Sequence, residues 1–196
     1  MGGIRRIASV TEKLVPIMAL LYIVGSLIVI GVNYQHIGQA FVSIFVGAFR
    51  PEAVLGGAAG ISVKMAVRYG VSRGLFSNEA GMGSTPHAHA LAKVDHPCDQ
   101  GVVALMGVFL DTFVVLTLTA LTFLTTGALS SGETGSKLAQ VAFSSVFGHF
   151  GDIFVALCMF FFAFSTIVGW YFFGQTNIKY SFGAKAVKLY SAIVLI

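Results

Sequence analysis

Charged side chains are scarce in this sequence. Asp, Glu, Lys and Arg together supply 10% of its 196 residues, whereas a soluble domain carries about 25%. So few polar groups cannot coat a globule that faces water, and a soluble domain is excluded. Cysteine is scarcer still. Cys98 and Cys158 are the only two, which rules out a disulfide framework and a thiolate ligand set. The chain also lacks a phosphate-cradling loop, a nucleophile triad and a paired-carboxylate dyad. A catalytic reading would rest on Glu79 and Asp111 alone, too little to make an enzyme. The net charge is +4, but the basic residues come in ones and twos beside apolar spans. That is how topology signals are placed, and it gives no surface for nucleic acid.

What fills the space is apolar. Hydrophobic residues make up 56% of the chain, with 23 glycines and 18 phenylalanines, and the mean hydropathy is +0.86. Small residues that let helices approach closely suit a membrane bundle, so the class is all-α and integral to a bilayer. Residues 14–33, 101–127 and 152–174 each meet the roughly 20-residue requirement for a crossing helix. A further run, 187–196, is broken by Lys188 and stops short of a span. The chain is therefore expected to be an internal or truncated piece of a larger transporter-like protein. Two shorter amphipathic segments, 37–49 and 137–149, read as helices on the outer side.

Arg5, Arg6 and Lys13 precede the first span, Lys93 precedes the 101–127 span, and Lys179 and Lys185 follow the 152–174 span. The positive-inside tendency puts these ends, and the N-terminus with them, on the cytoplasmic side of the plasma membrane. Arg50, Lys64 and Arg68 then fall on the outer half. Lys64 and Arg68 stand four apart and share a helix face, and such a stripe must line an aqueous cavity or another polar surface rather than lipid.

The remaining segment, 57–93, contains "GLFSNEAGMGSTPHAHALAK". Gly74 sits where a left-handed helix terminator is expected. Ser77 and Asn78 compete for backbone hydrogen bonds, and Gly81 and Gly83 permit unusual dihedrals. Ser84 or Thr85 can then cap a new helix with Pro86 at its first position. The segment reads as helix, unwound linker at about 75–84, and a second helix of about ten residues, or about 15 Å. Backbone that is not helical at mid-bilayer survives only where protein or water surrounds it. Its loose carbonyls suit a cation and its loose N–H groups a carboxylate, as in a secondary transporter for a small zwitterion and a coupling ion.

Within the break, Glu79 could bind a substrate ammonium or cation, or cap freed amides. Asp111, the single charge in its span, is a functional candidate by its depth. It could be a proton or cation relay, or a structural carboxylate bonded to hydroxyls such as Thr112 or to the broken helix. His87, His89, His96 and Cys98 match no zinc spacing, and no transition metal is expected. His87 and His89, two apart on a helix, point to nearly opposite faces. Trp170 and Tyr171 resemble interfacial anchors.

The runs "RGLFSNEAGMGSTP" and "GVFLDTFVVLTLTALTFLTTG" resemble the sodium:alanine (amino acid:cation) symporter family. So does the opening "GGIRRIASVTEKLVPIMALLYIVGSLIVI". The resemblance implies a leucine-transporter-type bundle of two inverted five-helix repeats with discontinuous first and sixth helices. This chain would then be a partial domain, helices five to eight and the start of nine, lacking the first-repeat helices that complete both pockets. It implies a substrate site at Phe76, Ser77, Asn78 and Glu79, with backbone N–H groups near Gly81, Gly83 and Ser84. Ser165 and Thr166 would offer oxygen ligands to sodium, the coupling ion, with no organic cofactor. Sodium-coupled uptake of a small neutral amino acid such as alanine or glycine follows. Two other readings stay open: a cation- or proton-conducting membrane subunit using Asp111, and a non-functional truncated remnant.

Overall fold

The computed structural model describes residues 3–49 and 59–194, and among them every regular element is helical. The elements are α1 (Gly3–Val32), α2 (Ile37–Phe49), α3 (Ala59–Ser77), α4 (Thr85–His89), α5 (Pro97–Thr125), α6 (Ser136–Phe147), α7 (His149–Phe182) and α8 (Ala186–Val194). Short 3-10 turns at Tyr34–His36 and Ala128–Ser131 join α1 to α2 and follow α5. Arg50 lies outside the described residues.

Among the described residues, three helical stretches are long and apolar enough to cross a membrane: Lys13–Val32, Pro97–Thr125 and His149–Phe182, with mean hydropathies of 2.5, 2.2 and 2.2. Large side chains such as Leu20, Leu105, Phe113 and Phe160 stand exposed along them. Exposure on that scale suits surfaces that meet lipid or further protein rather than water.

Local chemistry sets the helix ends. His96 caps α5 by accepting the Cys98 N–H at its Nδ1, 3.2 Å away, with Pro97 at the first position and Asp99 in the first turn. His96 and Cys98 thus open a helix. At the far end of α5, Gly127 is left-handed (φ 68°), the usual helix stop. α6 and α7 form a tight hairpin through Gly148. There a Cβ on Gly151 would lie 2.6 Å from the Ser144 Cα and N, so only glycine lets the two backbones meet.

The buried core lies at one end of the bundle. Val29, Phe143 and Val155 form one cluster, with Tyr22, Phe147 and Phe154 packed on it; Ile30, Ala40 and Leu121 form a second. The short amphipathic helix α6 therefore wedges between the long ones, with Phe143 fully buried, whereas α2 touches the core through Ala40 and is otherwise largely exposed. Tyr22 donates to Thr119, 2.7 Å away, tying α1 to α5 within this core. At the other end α8 folds back on α7. Tyr171 stacks on Tyr190 and bonds Ser191 at 2.7 Å, which makes Tyr171 a helix-packing residue. α7 itself runs eleven residues beyond Tyr171, to Phe182.

Candidate functional site

The helix α3 ends in a tight hydrogen-bonded turn. The Ala80 N–H bonds the Leu75 carbonyl at 2.9 Å, and the Glu79 N–H bonds that of Phe76 at 3.1 Å. This is the two-bond Schellman stop, whose first residue past the helix must be left-handed. That residue is Glu79, at φ 50°. Gly74, where the sequence suggested the stop, lies inside the helix, because glycine permits a left-handed turn without forcing one. Gly81 and Gly83 follow at φ 78° and 77°. Left-handed residues thus alternate at 79, 81 and 83 before the chain winds again at Thr85.

A non-glycine residue held left-handed is strained by about 1–2 kcal/mol, and the surroundings must hold it. Here the Glu79 carboxylate does so itself. Its Oε2 accepts the Ser84 hydroxyl at 2.7 Å and that of Thr85 at 2.8 Å. The two hydroxyls proposed from sequence as helix caps are spent on this carboxylate, and Ser84 makes no side-chain cap bond. Glu79 therefore bridges the break, joining its start to its end. Of the two roles left open for it, the contacts show it on neighbouring hydroxyls rather than on freed amides.

The end of α3 is fastened to α5. The Ser77 hydroxyl donates to Asp111 Oδ2 at 2.6 Å, and Thr112 Oγ1 donates to Asn78 Oδ1 at 3.1 Å. Both partners lie where α5 is wound as a π-helix, Leu110–Leu116. Such insertions often mark functional sites. The wider turn shifts the register so that adjacent residues 111 and 112 both reach the α3 end. Asp111 is thus a half-buried carboxylate bonded to the broken helix.

Beyond the break, α4 is five residues long, half the length the sequence suggested. Ala90 to Ala92 close it with turn bonds to Pro86, Ala88 and His89, and the chain continues irregularly to His96. Its two histidines reach different helices. His87 Nε2 lies 2.9 Å from Asn177 Oδ1 on α7, with the ring against Phe173 at 5.8 Å. His89 Nδ1 accepts the Gln100 amide of α5 at 2.6 Å. Gln100 and Asn177 were not singled out in the sequence, although each is an uncharged polar group on a predominantly apolar helix.

Two grooves flank the break. One of about 670 Å³ is lined by Arg68, Ser72, Leu75, Phe76, Gly81 and Met82. The other, about 620 Å³, runs between α4 and the start of α5, past Thr85, His89, Gln100 and Ala104. Phe76 is exposed and lines the first groove with Arg68, whereas Lys64, the other cation of the α3 stripe, does not line it.

Ser165 and Thr166 lie apart from these residues, on α7. The Ser165 hydroxyl bonds the Phe162 carbonyl at 3.0 Å and sits 3.7 Å from Met18 Sδ of α1, while Thr166 is exposed. They stand about 10 Å along α7 from Phe173, at 1.5 Å per residue. Among the described residues no group of three His, Cys, Asp or Glu side chains gathers as a metal site.

Over residues 1–196 the sequence matches the sodium:alanine symporter family. The chain belongs to that family. It is 39% identical over 201 residues to the sodium/alanine symporter AgcS of Methanococcus maripaludis, covering 100% of this chain and 43% of the relative. It is 39% identical over 194 residues to the sodium/proton-dependent alanine carrier protein of Bacillus sp. (strain PS3), covering 91% and 43%. An uncharacterized transporter of Haemophilus influenzae is 41% identical over 192 residues, covering 97% and 42%. The chain thus spans about two-fifths of the length of the curated relatives it matches. The family is one of sodium-coupled symporters, transporters rather than enzymes.

Proposed function

We propose that this chain acts within a complete transporter that takes up a small neutral amino acid, such as alanine or glycine, together with sodium. One observation carries this reading: the left-handed run Glu79–Gly83, braced by Glu79 and docked on a π-wound stretch of an apolar helix. A bundle that only had to stand in lipid would gain by closing those backbone bonds. Phe76 supplies an apolar wall for the substrate side chain. The backbone N–H groups near Gly81, Gly83 and Ser84 receive its carboxylate. Asn78 offers the amide nitrogen that its bond with Thr112 leaves over. Ser77 and Glu79 shape the site through Asp111, Ser84 and Thr85. Sodium takes hydroxyl oxygens from Ser165 and Thr166, hard donors suited to a hard ion.

The architecture that accommodates this is the leucine-transporter-type inverted-repeat bundle. Further helices of the same transporter would supply the opposite walls, and the N-terminal end of α1 would lie on the cytoplasmic side of the plasma membrane. The test is sodium-dependent alanine uptake by the complete transporter in liposomes. Asn78→Ala abolishes it, and Ser165→Ala raises the sodium concentration needed for half-maximal uptake. Ordinary uptake in both variants would refute the assignment. The PS3 relative is a carrier named for dependence on protons as well as sodium. Asp111, hydrogen-bonded to the break through Ser77, is the group that favours a proton-linked second reading. Uptake that stays proton-dependent in Asp111→Asn removes it.

A further inference from the structure

The helix α4 is too short to hold itself. One turn of helix costs more to nucleate than its few bonds return, so α4 must be fixed by its neighbours. Three side-chain links fix it: Glu79 to the start of the break, His89 to Gln100 of α5, and His87 to Asn177 of α7. The third differs from the others in what it joins. His87 Nδ1 lies 2.9 Å from the Gly83 carbonyl and 3.3 Å from that of Ser84, so one ring nitrogen addresses the backbone of the candidate substrate loop. The other addresses Asn177, on the helix that carries Ser165 and Thr166.

Carbonyl oxygens only accept, so Nδ1 carries a hydrogen. The Asn177 amide can turn over to present oxygen or nitrogen to Nε2, and the link therefore forms in either protonation state of the ring. Phe173 packs against the same imidazole and limits its rotation. A single stiff side chain thus spans from the left-handed loop to α7. Asn177 lies eleven residues beyond Thr166, about 16 Å along a helix.

We propose that His87 is a positioning residue which, through Asn177, couples the state of the sodium-bearing helix to the geometry of the substrate loop. The proposal rests on the transport reading above. A shift of α7 on binding sodium moves Asn177, and His87 passes that movement to the Gly83 and Ser84 carbonyls without touching either ligand. Coupling of this kind is reciprocal and is measured as the change one ligand makes in the affinity for the other.

The experiment uses the complete transporter in liposomes and reads the half-saturation concentration for alanine at low and at saturating sodium. In the wild type, sodium lowers that concentration. His87→Asn retains a donor near the Gly83 carbonyl but is too short to reach Asn177, whereas His87→Gln retains the reach to α7. The sodium effect is expected to shrink about two- to tenfold in His87→Asn and in Asn177→Ala, the worth of one hydrogen bond. It is expected to shrink in His87→Gln as well, which keeps the reach to α7 but loses the donor to the loop carbonyls, and the double variant His87→Asn/Asn177→Ala is expected to be no worse than either single one. An undiminished sodium effect in Asn177→Ala overturns the proposal. So does loss in His87→Gln alone, with His87→Asn and Asn177→Ala unaffected, which would mean that the ring serves only its local carbonyls. Asn177→Ala lies on α7 and decides the matter alone should His87→Asn fail to fold. Absence of sodium-dependent uptake in the wild type instead overturns the transport reading itself, so the two failures are distinguishable.

Discussion

Replacing Glu79 separates two effects that coincide at one residue. The backbone there is left-handed at φ 50°, and the carboxylate holds the Ser84 and Thr85 hydroxyls. Glu79→Ala removes both hydrogen bonds and keeps the strain. Glu79→Gly removes both bonds and relieves the strain. The difference between these variants therefore reports the backbone alone, with Ala less stable than Gly by about 1–2 kcal/mol. In an ordinary helix the sign reverses, with Ala more stable by about 1 kcal/mol. Glu79→Gln keeps the reach but exchanges charge-assisted bonds for neutral ones, a loss of about 1–3 kcal/mol over the two. Glu79→Ala should be the least stable of the set. Thermal unfolding of the purified protein in detergent gives the ranking, with Glu79→Ala unfolding about 2–8 °C below Glu79→Gly. If Glu79→Ala proves the more stable of the pair, the Schellman stop is wrong and α3 runs on through the loop.

Two further variants probe the scaffold. Gly151→Ala puts a methyl 2.6 Å from the Ser144 backbone, so the α6–α7 hairpin must open at a cost of about 1–3 kcal/mol, read as a lowered unfolding temperature. Phe143→Ala empties the fully buried position that Tyr22, Phe147 and Phe154 surround, which should cost about 3–5 kcal/mol. No loss there would show that the cluster of Val29, Phe143 and Val155 is not the core of this bundle.

The membrane class and the helical class were legible because both follow from composition and run length. A polypeptide in hydrocarbon has few ways to satisfy its backbone. The break was legible for a related reason: Ser, Asn and Gly within a few residues of one another disfavour a helix whatever surrounds them. Its start was not. Several residues there could have ended α3, and the hydrogen-bonded turn formed around Glu79 because its carboxylate found hydroxyls five and six residues on. The shortness of α4 was equally hidden, since the alanines at 88, 90 and 92 favour helix wherever packing permits it.

What the sequence determined by itself is the family, the apolar spans and the presence of an unwound stretch, all properties of residues near one another in the chain. Which side chains meet across that stretch was decided by tertiary structure. Ser77 and Asp111 are 34 residues apart and His87 and Asn177 are 90 apart. Propensity and periodicity act over a turn or two of helix. Such pairs come together only when whole helices pack and a π-wound turn sets the register.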